Sequence, residues 1–192
     1  MESTVNETRM DFAAAQQRLK KVVKRTPLIL NAGLSKKYQC KVYLKREDLQ
    51  VVRSYKLRGA YNMMSTLPAE QLQQGVVCAS AGNHAQGFAF SCKKLNVKGV
   101  VFMPIITPKQ KVNQTKMFGD DKIEIKLVGD TFDDCAVAAR QFTEENKMTV
   151  PWPSMISGSS KARERSDWKY WKTSPTLIFS SCQWVEADSV PE

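Results

Sequence analysis

Apolar positions in the first 150 residues fall into blocks of two kinds, and the two kinds alternate along the chain. Short apolar runs predict strands, namely CKVYL, GVVCA, KGVVFM and KIEIKLV. Longer stretches with apolar residues at helical spacing predict helices, namely ETRMDFAAAQQRLKKVVKR, HAQGFAFSCKKL, PKQKVNQTKMFG and TFDDCAVAARQFTEEN. Because strands and helices follow each other in turn, the pattern predicts an α/β fold with an open parallel sheet and flanking helices.

Single residues mark where these helices begin and end. Pro27 ends the first helix, because proline has no backbone N–H and its ring clashes with the preceding turn. A further helix is expected to start just after Lys56 and to run to Pro68, and Gly119 closes the helix before KIEIKLV. Thr131 is the expected N-cap of the last helix, since its hydroxyl can accept a hydrogen bond from the first turn.

The chain beyond residue 150 does not continue this pattern. Neither a helical nor a strand period is evident there, and serine becomes frequent. All four tryptophans of the chain lie in this segment: Trp152, Trp168, Trp171 and Trp184. The change of composition indicates a segment of separate origin, and we expect a disordered or irregular tail.

Composition narrows the class of protein. Of the 192 residues, 42% are hydrophobic and 25% are charged, so a packed core is expected. No apolar run reaches the length of a membrane helix, and the polar N-terminus resembles neither a signal peptide nor a transit peptide. The five cysteines form no CxxC pair and no metal-ligand spacing: Cys40, Cys78, Cys92, Cys135 and Cys182. Buried thiols in a reducing cytoplasm are the better interpretation.

The net charge of +10 raises the question of a nucleic-acid partner. The basic residues of RLKKVVKR are interleaved with apolar ones on a predicted helix, which is typical of a solvated helix face. We therefore expect no nucleic-acid partner and no membrane partner.

The segment SAGNHAQG follows a predicted strand and opens a predicted helix. Backbone N–H groups at such a turn, together with the helix dipole, can hold a carboxylate or a phosphate. Gly82 permits close approach of a ligand to the backbone, and Asn83 adds a side-chain amide. Taken alone, the segment is equally compatible with an ordinary strand-to-helix turn, and His84, the only histidine, with a structural role.

Lys56, in VRSYKLRGAYN, lies at the start of a predicted helix. The positive end of the helix and the nearby Arg58 both disfavour a charge on its amine. A neutral lysine amine is a better nucleophile toward a carbonyl, as Schiff-base chemistry requires. Taken alone, a surface lysine remains the alternative.

The two segments together resemble the fold-type II pyridoxal-phosphate enzymes. Within that class, VYLKREDLQVVRSYKLRGAYN followed by ASAGNHAQGFAFSC is similar to threonine dehydratases, of the biosynthetic branch in particular. The segments VFMPIITPKQKVNQTKMFG and KLVGDTFDDC extend the resemblance, which covers about residues 8 to 149. Serine racemases share both motifs, so the amino acid that is used stays open, and a serine racemase or serine dehydratase is the alternative enzyme.

The resemblance implies a role for each matching position. Lys56 would bind pyridoxal 5'-phosphate covalently and later move the Cα proton, and Tyr55 would lie against the cofactor ring. Asn83 would donate a hydrogen bond to the cofactor's 3-hydroxyl. The substrate carboxylate would bind to a loop of five residues: Ser80, Ala81, Gly82, Asn83 and His84. The reaction would convert L-threonine to 2-oxobutanoate and ammonia, as in isoleucine biosynthesis.

The resemblance also implies a glycine loop for the cofactor phosphate, which the printed sequence lacks. The underlying codons can also be read in a shifted frame, in which each new codon takes the third base of one codon and the first two bases of the next. In that frame Trp184 and Val185 must give glycine. The codons up to Ser189 then permit GGGGL, the phosphate loop of the family. Residues 167 to 172 give Leu-Glu-(Ile or Val)-Leu-Glu in the same frame. We therefore interpret the tail as a shifted-frame translation of a dehydratase gene.

Three parts follow from this interpretation. Residues 1–50 are an incomplete N-terminal part of the large domain, residues 51–149 are the small domain, and residues 150–192 are an aberrant tail. We expect the chain itself to be inactive, since its cofactor phosphate has no anchor. A non-catalytic product that associates with a full-length subunit is the alternative in a different functional class, because the family is homo-oligomeric.

Overall fold

A computed structural model describes residues 12–151 and, for the backbone alone, two further strands at 176–180 and 183–187. Seven helices lie in the described part: α1 (Phe12–Leu19), α2 (Ala32–Tyr38), α3 (Lys56–Met64), α4 (Ala69–Gln74), α5 (Asn83–Leu95), α6 (Lys109–Gly119) and α7 (Phe132–Asn146). The strands are β1 (Leu28–Leu30), β2 (Val42–Lys45), β3 (Val76–Ala79), β4 (Gly99–Met103), β5 (Ile123–Leu127), β6 (Thr176–Ser180) and β7 (Gln183–Ala187). Two short 3-10 helices add Glu47–Leu49 and Asp120–Lys122.

The strands β3, β4 and β5 form a parallel sheet in that order, with β4 in the centre. Alternate side chains of these strands enter two separate cores, because successive residues of a strand point to opposite faces. Val76 and Cys78 join a core with α5, whereas Val77 and Ala79 join a core with α7. The sheet is thus covered on both faces, and the prediction of an open parallel sheet with flanking helices is confirmed.

A second sheet has the order β1-β2-β6-β7. Its β1 and β2 are antiparallel, β2 and β6 are parallel, and β6 and β7 are antiparallel. The expectation of an irregular tail is therefore wrong for these two stretches, where TLIFS and QWVEA form paired strands. Both strands are short. The hydrogen bonds of β6 depend on β2, which is distant in sequence, and on β7, which follows after two residues, so the local pattern alone was a weak signal. Residues 152–175 lie outside the described part.

Several helix boundaries follow from local chemistry. Thr131 is the N-cap of α7 and forms a reciprocal capping box with Asp134, as the sequence predicted in part. Helix α6 ends at Gly119, also as predicted. Helix α3 includes Lys56 and ends at Met64, so it is shorter than expected, and Pro68 is the N-cap of the separate α4.

The thiols of the described part are not linked to one another. Those of Cys78, Cys92 and Cys135 are buried in the two cores, which confirms the expectation of buried thiols, while Cys40 is half-buried. Among the described helices, none has both the length and the apolar character that crossing a membrane requires.

Candidate functional site

Lys56 is the first residue of α3 and follows a tight turn. Arg53 has a φ of 55°, in the left-handed region, and its backbone N–H donates to the Gln50 carbonyl at 2.9 Å. This turn reverses the chain so that Ser54 is buried and Lys56 begins the helix half-buried. The Lys56 ammonium lies 4.9 Å from the centre of the Tyr55 ring. An aromatic face this close stabilises a cation and also fixes where the amine rests.

Arg58, two residues further on, is engaged on a different side of the helix. Its Nε donates to Glu47 Oε2 and its Nη2 to Glu47 Oε1, each at 2.8 Å. The carboxylate offsets the guanidinium charge in a bidentate ion pair. The sequence alone indicated the charge of Arg58 but not the carboxylate that offsets it.

The turn that opens α5 is the second part of the site. Strand β3 ends at Ala79, and Gly82 is the N-cap of α5, where, as a glycine, it has no side chain that could accept a hydrogen bond from the first turn. A Cβ built on Gly82 would meet no atom within 4 Å. The described residues thus leave open space on the Cβ side of Gly82, where a ligand could approach the backbone. Asn83, the first residue of α5, is exposed next to that space.

His84, the second residue of α5, is buried. Burial, and after it the positive charge of Lys56, lower the pKa of His84 from 6.5 to about 4. The imidazole is therefore neutral near pH 7. The influence of Lys56 on this ring also means that the start of α3 and the start of α5 lie close together.

Gly87 brings the two helices into backbone contact. A Cβ at this position would lie 3.1 Å from the Leu57 nitrogen, 3.1 Å from the Lys56 carbonyl carbon and 3.2 Å from the Lys56 oxygen. Glycine in a helix interior costs about 1 kcal/mol relative to alanine. Despite this cost, Gly87, the last glycine of SAGNHAQG, allows the Lys56 backbone to approach α5 closely. Sequence reasoning missed this residue, although a glycine inside an apolar helix pattern was a signal.

Sequence reasoning also missed Glu47. Its side chain is only 3% exposed and is surrounded by donors from Thr26, Gln50 and Arg58. Burial by itself raises the pKa of the Glu47 carboxyl, but hydrogen bonds from Arg58 and Thr26 outweigh burial and hold the pKa below its ordinary value. An ionised, buried carboxylate therefore lies nine residues before the site lysine, within KREDLQ.

The residues present fit the group that the resemblance implies. A lysine amine beside an aromatic ring, an uncapped helix N-terminus and an exposed amide lie at the starts of α3 and α5. Ser54 Oγ is buried two residues from Lys56 and has no hydrogen-bond partner among the described residues. Buried hydroxyls normally find a partner, so this atom is consistent with a polar ligand nearby. In the part that the structure describes, no cluster of three potential metal ligands occurs.

Comparison with known proteins gives consistent results. The family model described as pyridoxal-phosphate dependent enzyme matches residues 19–159. The biosynthetic L-threonine dehydratase of Staphylococcus epidermidis is 59% identical over 138 residues, which make up 72% of this chain and 33% of the relative. The protein of Staphylococcus aureus with the same name is also 59% identical over 138 residues. The chain thus spans about a third of the length of these curated relatives.

Solved structures share the architecture. The processed form of threonine deaminase isoform 2 from Solanum lycopersicum aligns with a TM-score of 0.64 and 38% identity, over 77% of this chain and 42% of that chain. Maize serine racemase aligns with a TM-score of 0.68 and 28% identity, over 73% of this chain and 42% of that chain.

Proposed function

Because the chain belongs to the family of pyridoxal-phosphate dependent enzymes, we propose that it is a portion of a threonine dehydratase-type lyase. Such an enzyme eliminates water from L-threonine, and the product hydrolyses to 2-oxobutanoate and ammonia. The observation that carries this proposal is the 59% identity to curated threonine dehydratases. Identity to the structure of maize serine racemase is 28%, which favours threonine over serine as the substrate.

The proposed roles follow from the starts of α3 and α5. Lys56 is the covalent attachment point and holds the Cα proton on its Nζ after removing it from the substrate. Tyr55 would lie against the bound cofactor ring, and Asn83 would donate its side-chain N–H to the 3-hydroxyl of that ring. When bound, the cofactor supplies an electron sink for the charge that develops at Cα. The protein contributes binding, orientation and exclusion of water.

The substrate carboxylate is proposed to bind at residues 80–84. The open space at Gly82 and the uncapped first turn of α5 support this assignment. Because His84 is buried and neutral near pH 7, its contribution is its backbone N–H and not an imidazolium charge. Ser80 and Ala81 complete the turn, and the Ser80 hydroxyl accepts from Gly82 N at 3.4 Å.

We further propose that this chain alone does not turn over substrate. The sequence contains no two consecutive glycines, whereas the shifted frame near Trp184 permits GGGGL. A cofactor phosphate carries up to two negative charges and needs a nest of backbone N–H groups. Without that anchor the ring is not held in a reactive orientation. The division into residues 1–50, 51–149 and 150–192 belongs to the same proposal, as does a cytoplasmic location.

Two other candidates rest on specific observations. A serine racemase or serine dehydratase is supported by the TM-score of 0.68 with maize serine racemase. A non-catalytic product that binds an intact subunit is supported by large apolar side chains at the surface, such as Ile105 at 59% and Ile106 at 73% exposure. Such exposed apolar groups are typical of surfaces that another protein part covers.

Covalent trapping tests the proposal. The chain is incubated with pyridoxal phosphate and reduced with borohydride, and the modified lysines are mapped by peptide mass spectrometry. We expect Lys56 to be modified ahead of the exposed Lys116, and no 2-oxobutanoate from threonine. Lys56→Arg is the control that should abolish the preferred adduct. Equal modification of all lysines would refute the role of Lys56, and release of 2-oxobutanoate would refute the proposed inactivity.

A further inference from the structure

The first turn of α3 is held from two sides. Residues two apart on a helix point in nearly opposite directions, so Lys56 and Arg58 face different neighbours. The Lys56 backbone lies against Gly87 of α5, with a built Cβ at 3.1 Å from the Lys56 carbonyl carbon. The Arg58 side chain instead reaches Glu47 and the Lys24 carbonyl, at 2.8 and 3.2 Å.

Glu47 lies at the centre of the contacts on the Arg58 side. Its Oε1 accepts from Thr26 Oγ1 at 2.5 Å and from Arg58 Nη2 at 2.8 Å. Its Oε2 accepts from Arg58 Nε at 2.8 Å and from Gln50 Nε2 at 3.2 Å. The carboxylate therefore has two donors on each oxygen, a number that can compensate for the loss of water around a buried charge.

The same contacts fix the segment that precedes β1. Gln50 Oε1 accepts from the Lys24 N–H at 3.0 Å, and Gln50 Nε2 donates to the Lys24 carbonyl at 2.8 Å. Lys45 Nζ adds a hydrogen bond to the Thr26 carbonyl at 2.6 Å. Three stretches that are distant in sequence thus meet at one carboxylate, and α3 can neither rotate nor slide without breaking bonds to it.

We propose that Glu47 is a positioning residue for Lys56 and acts through Arg58 by holding the first turn of α3 against α5. The inference rests on the proposed function, since it assigns a purpose to the orientation of the Lys56 amine. Glu47 does not itself contact the amine in this scheme. Its effect is to fix the rotation of α3, and with it the direction in which the lysine side chain extends.

A purely structural role would give a different result. If Glu47 only stabilised the fold, its removal would lower stability, but folded molecules would keep a normally oriented Lys56. If Glu47 positions Lys56, the folded molecules themselves show a changed reactivity at this one lysine. The readout is therefore the ratio of borohydride-trapped pyridoxal phosphate on Lys56 to that on the exposed Lys116 of the same molecules.

The variant is Glu47→Gln, which keeps the shape and removes the charge. Its matched control is Asp48→Asn, because Asp48 forms an equally bidentate pair with Arg46, at 2.9 and 2.8 Å, on an exposed surface. Both chains are used at full length, and circular dichroism establishes that they are folded. Thr26→Val, which removes a single donor from Glu47 Oε1, serves if Glu47→Gln does not fold.

We expect Glu47→Gln to lower the Lys56-to-Lys116 ratio by about threefold to tenfold, which corresponds to the net contribution of one typical hydrogen bond. Asp48→Asn should keep the wild-type ratio, and Thr26→Val should give an intermediate one. A folded Glu47→Gln chain with the wild-type ratio overturns the inference. If Glu47→Gln does not fold, a wild-type ratio in Thr26→Val overturns it instead. A wild-type chain without any preference for Lys56 instead overturns the proposed function, and the inference with it.

Discussion

His84 offers a direct measurement of how close the two halves of the site are. It is the only histidine of the chain, so both imidazole C–H resonances in a proton NMR titration belong to it. Burial and the charge of Lys56 lower its pKa from 6.5 to about 4. Replacing Lys56 by glutamine removes the second cause and leaves the first. We therefore expect the pKa of His84 to rise in Lys56→Gln while it stays below 6.5.

The same residue makes stability depend on pH, with a defined sign. The unfolded chain protonates His84 near pH 6.5, whereas the folded chain does so only near pH 4. Between these values the unfolded state binds more protons, so the free energy of unfolding falls as the pH is lowered through this window. One pKa unit corresponds to about 1.4 kcal/mol, so the full effect of the lowered pKa is about 3 kcal/mol.

Urea unfolding at several pH values between 4 and 7 checks this slope. His84→Gln should lose the part of the pH dependence that belongs to the imidazole. For the NMR experiment, Lys116→Gln is the control, because it removes an exposed lysine of α6 that is not among the causes of the lowered pKa. An unchanged pKa of His84 in Lys56→Gln would refute the close approach of the α3 and α5 starts.

Four further predictions concern packing and helix ends. Gly59→Ala in α3 should raise the free energy of unfolding by about 0.5–1 kcal/mol, because a Cβ there meets no atom within 4 Å. Gly87→Ala should not stabilise the chain and should lower the trapping of Lys56, because its Cβ would contact the α3 backbone at 3.1 Å. Thr131→Ala should cost about 1 kcal/mol in urea unfolding, since the capping box of α7 is lost. Gly99→Ala should cost about 1–3 kcal/mol and lower the melting temperature, because its Cβ would meet core side chains at 2.6 to 3.0 Å.

The segments with strong periodicity were predictable from the sequence. The central stretch from β3 to α7 contains strands of four or five residues, of which β3 and β4 are fully buried, and helices of 11 to 15 residues. By contrast, β1, α2 and α4 were not anticipated. These elements have 3, 7 and 6 residues, and neither helix buries a residue, so no apolar stripe marked them. Their existence depends on neighbours that a local pattern does not reveal.

The site was only partly predictable for a related reason. Lys56 and the loop of residues 80–84 lie in local motifs whose residue types imply chemistry. Glu47 and Gly87 act through contacts with residues 11 and about 30 positions away in the chain, and only the fold brings these together. The compensation of Arg58 by Glu47 is of the same kind, since the sequence indicated a charge but not the partner that offsets it.

The buried cysteines provide a reporter of how the fold opens. Burial raises the pKa of the Cys78 and Cys92 thiols, so in the folded chain both stay protonated and shielded from reagents. Alkylation requires the thiolate and access, and both arise only when the core around β3 and α5 separates. The rate at which iodoacetamide labels these two thiols therefore counts opening events of the segment that positions the site. No probe has to be introduced, because both thiols belong to the chain itself. The half-buried Cys40, which lies on a separate peptide of the same digest, provides the comparison.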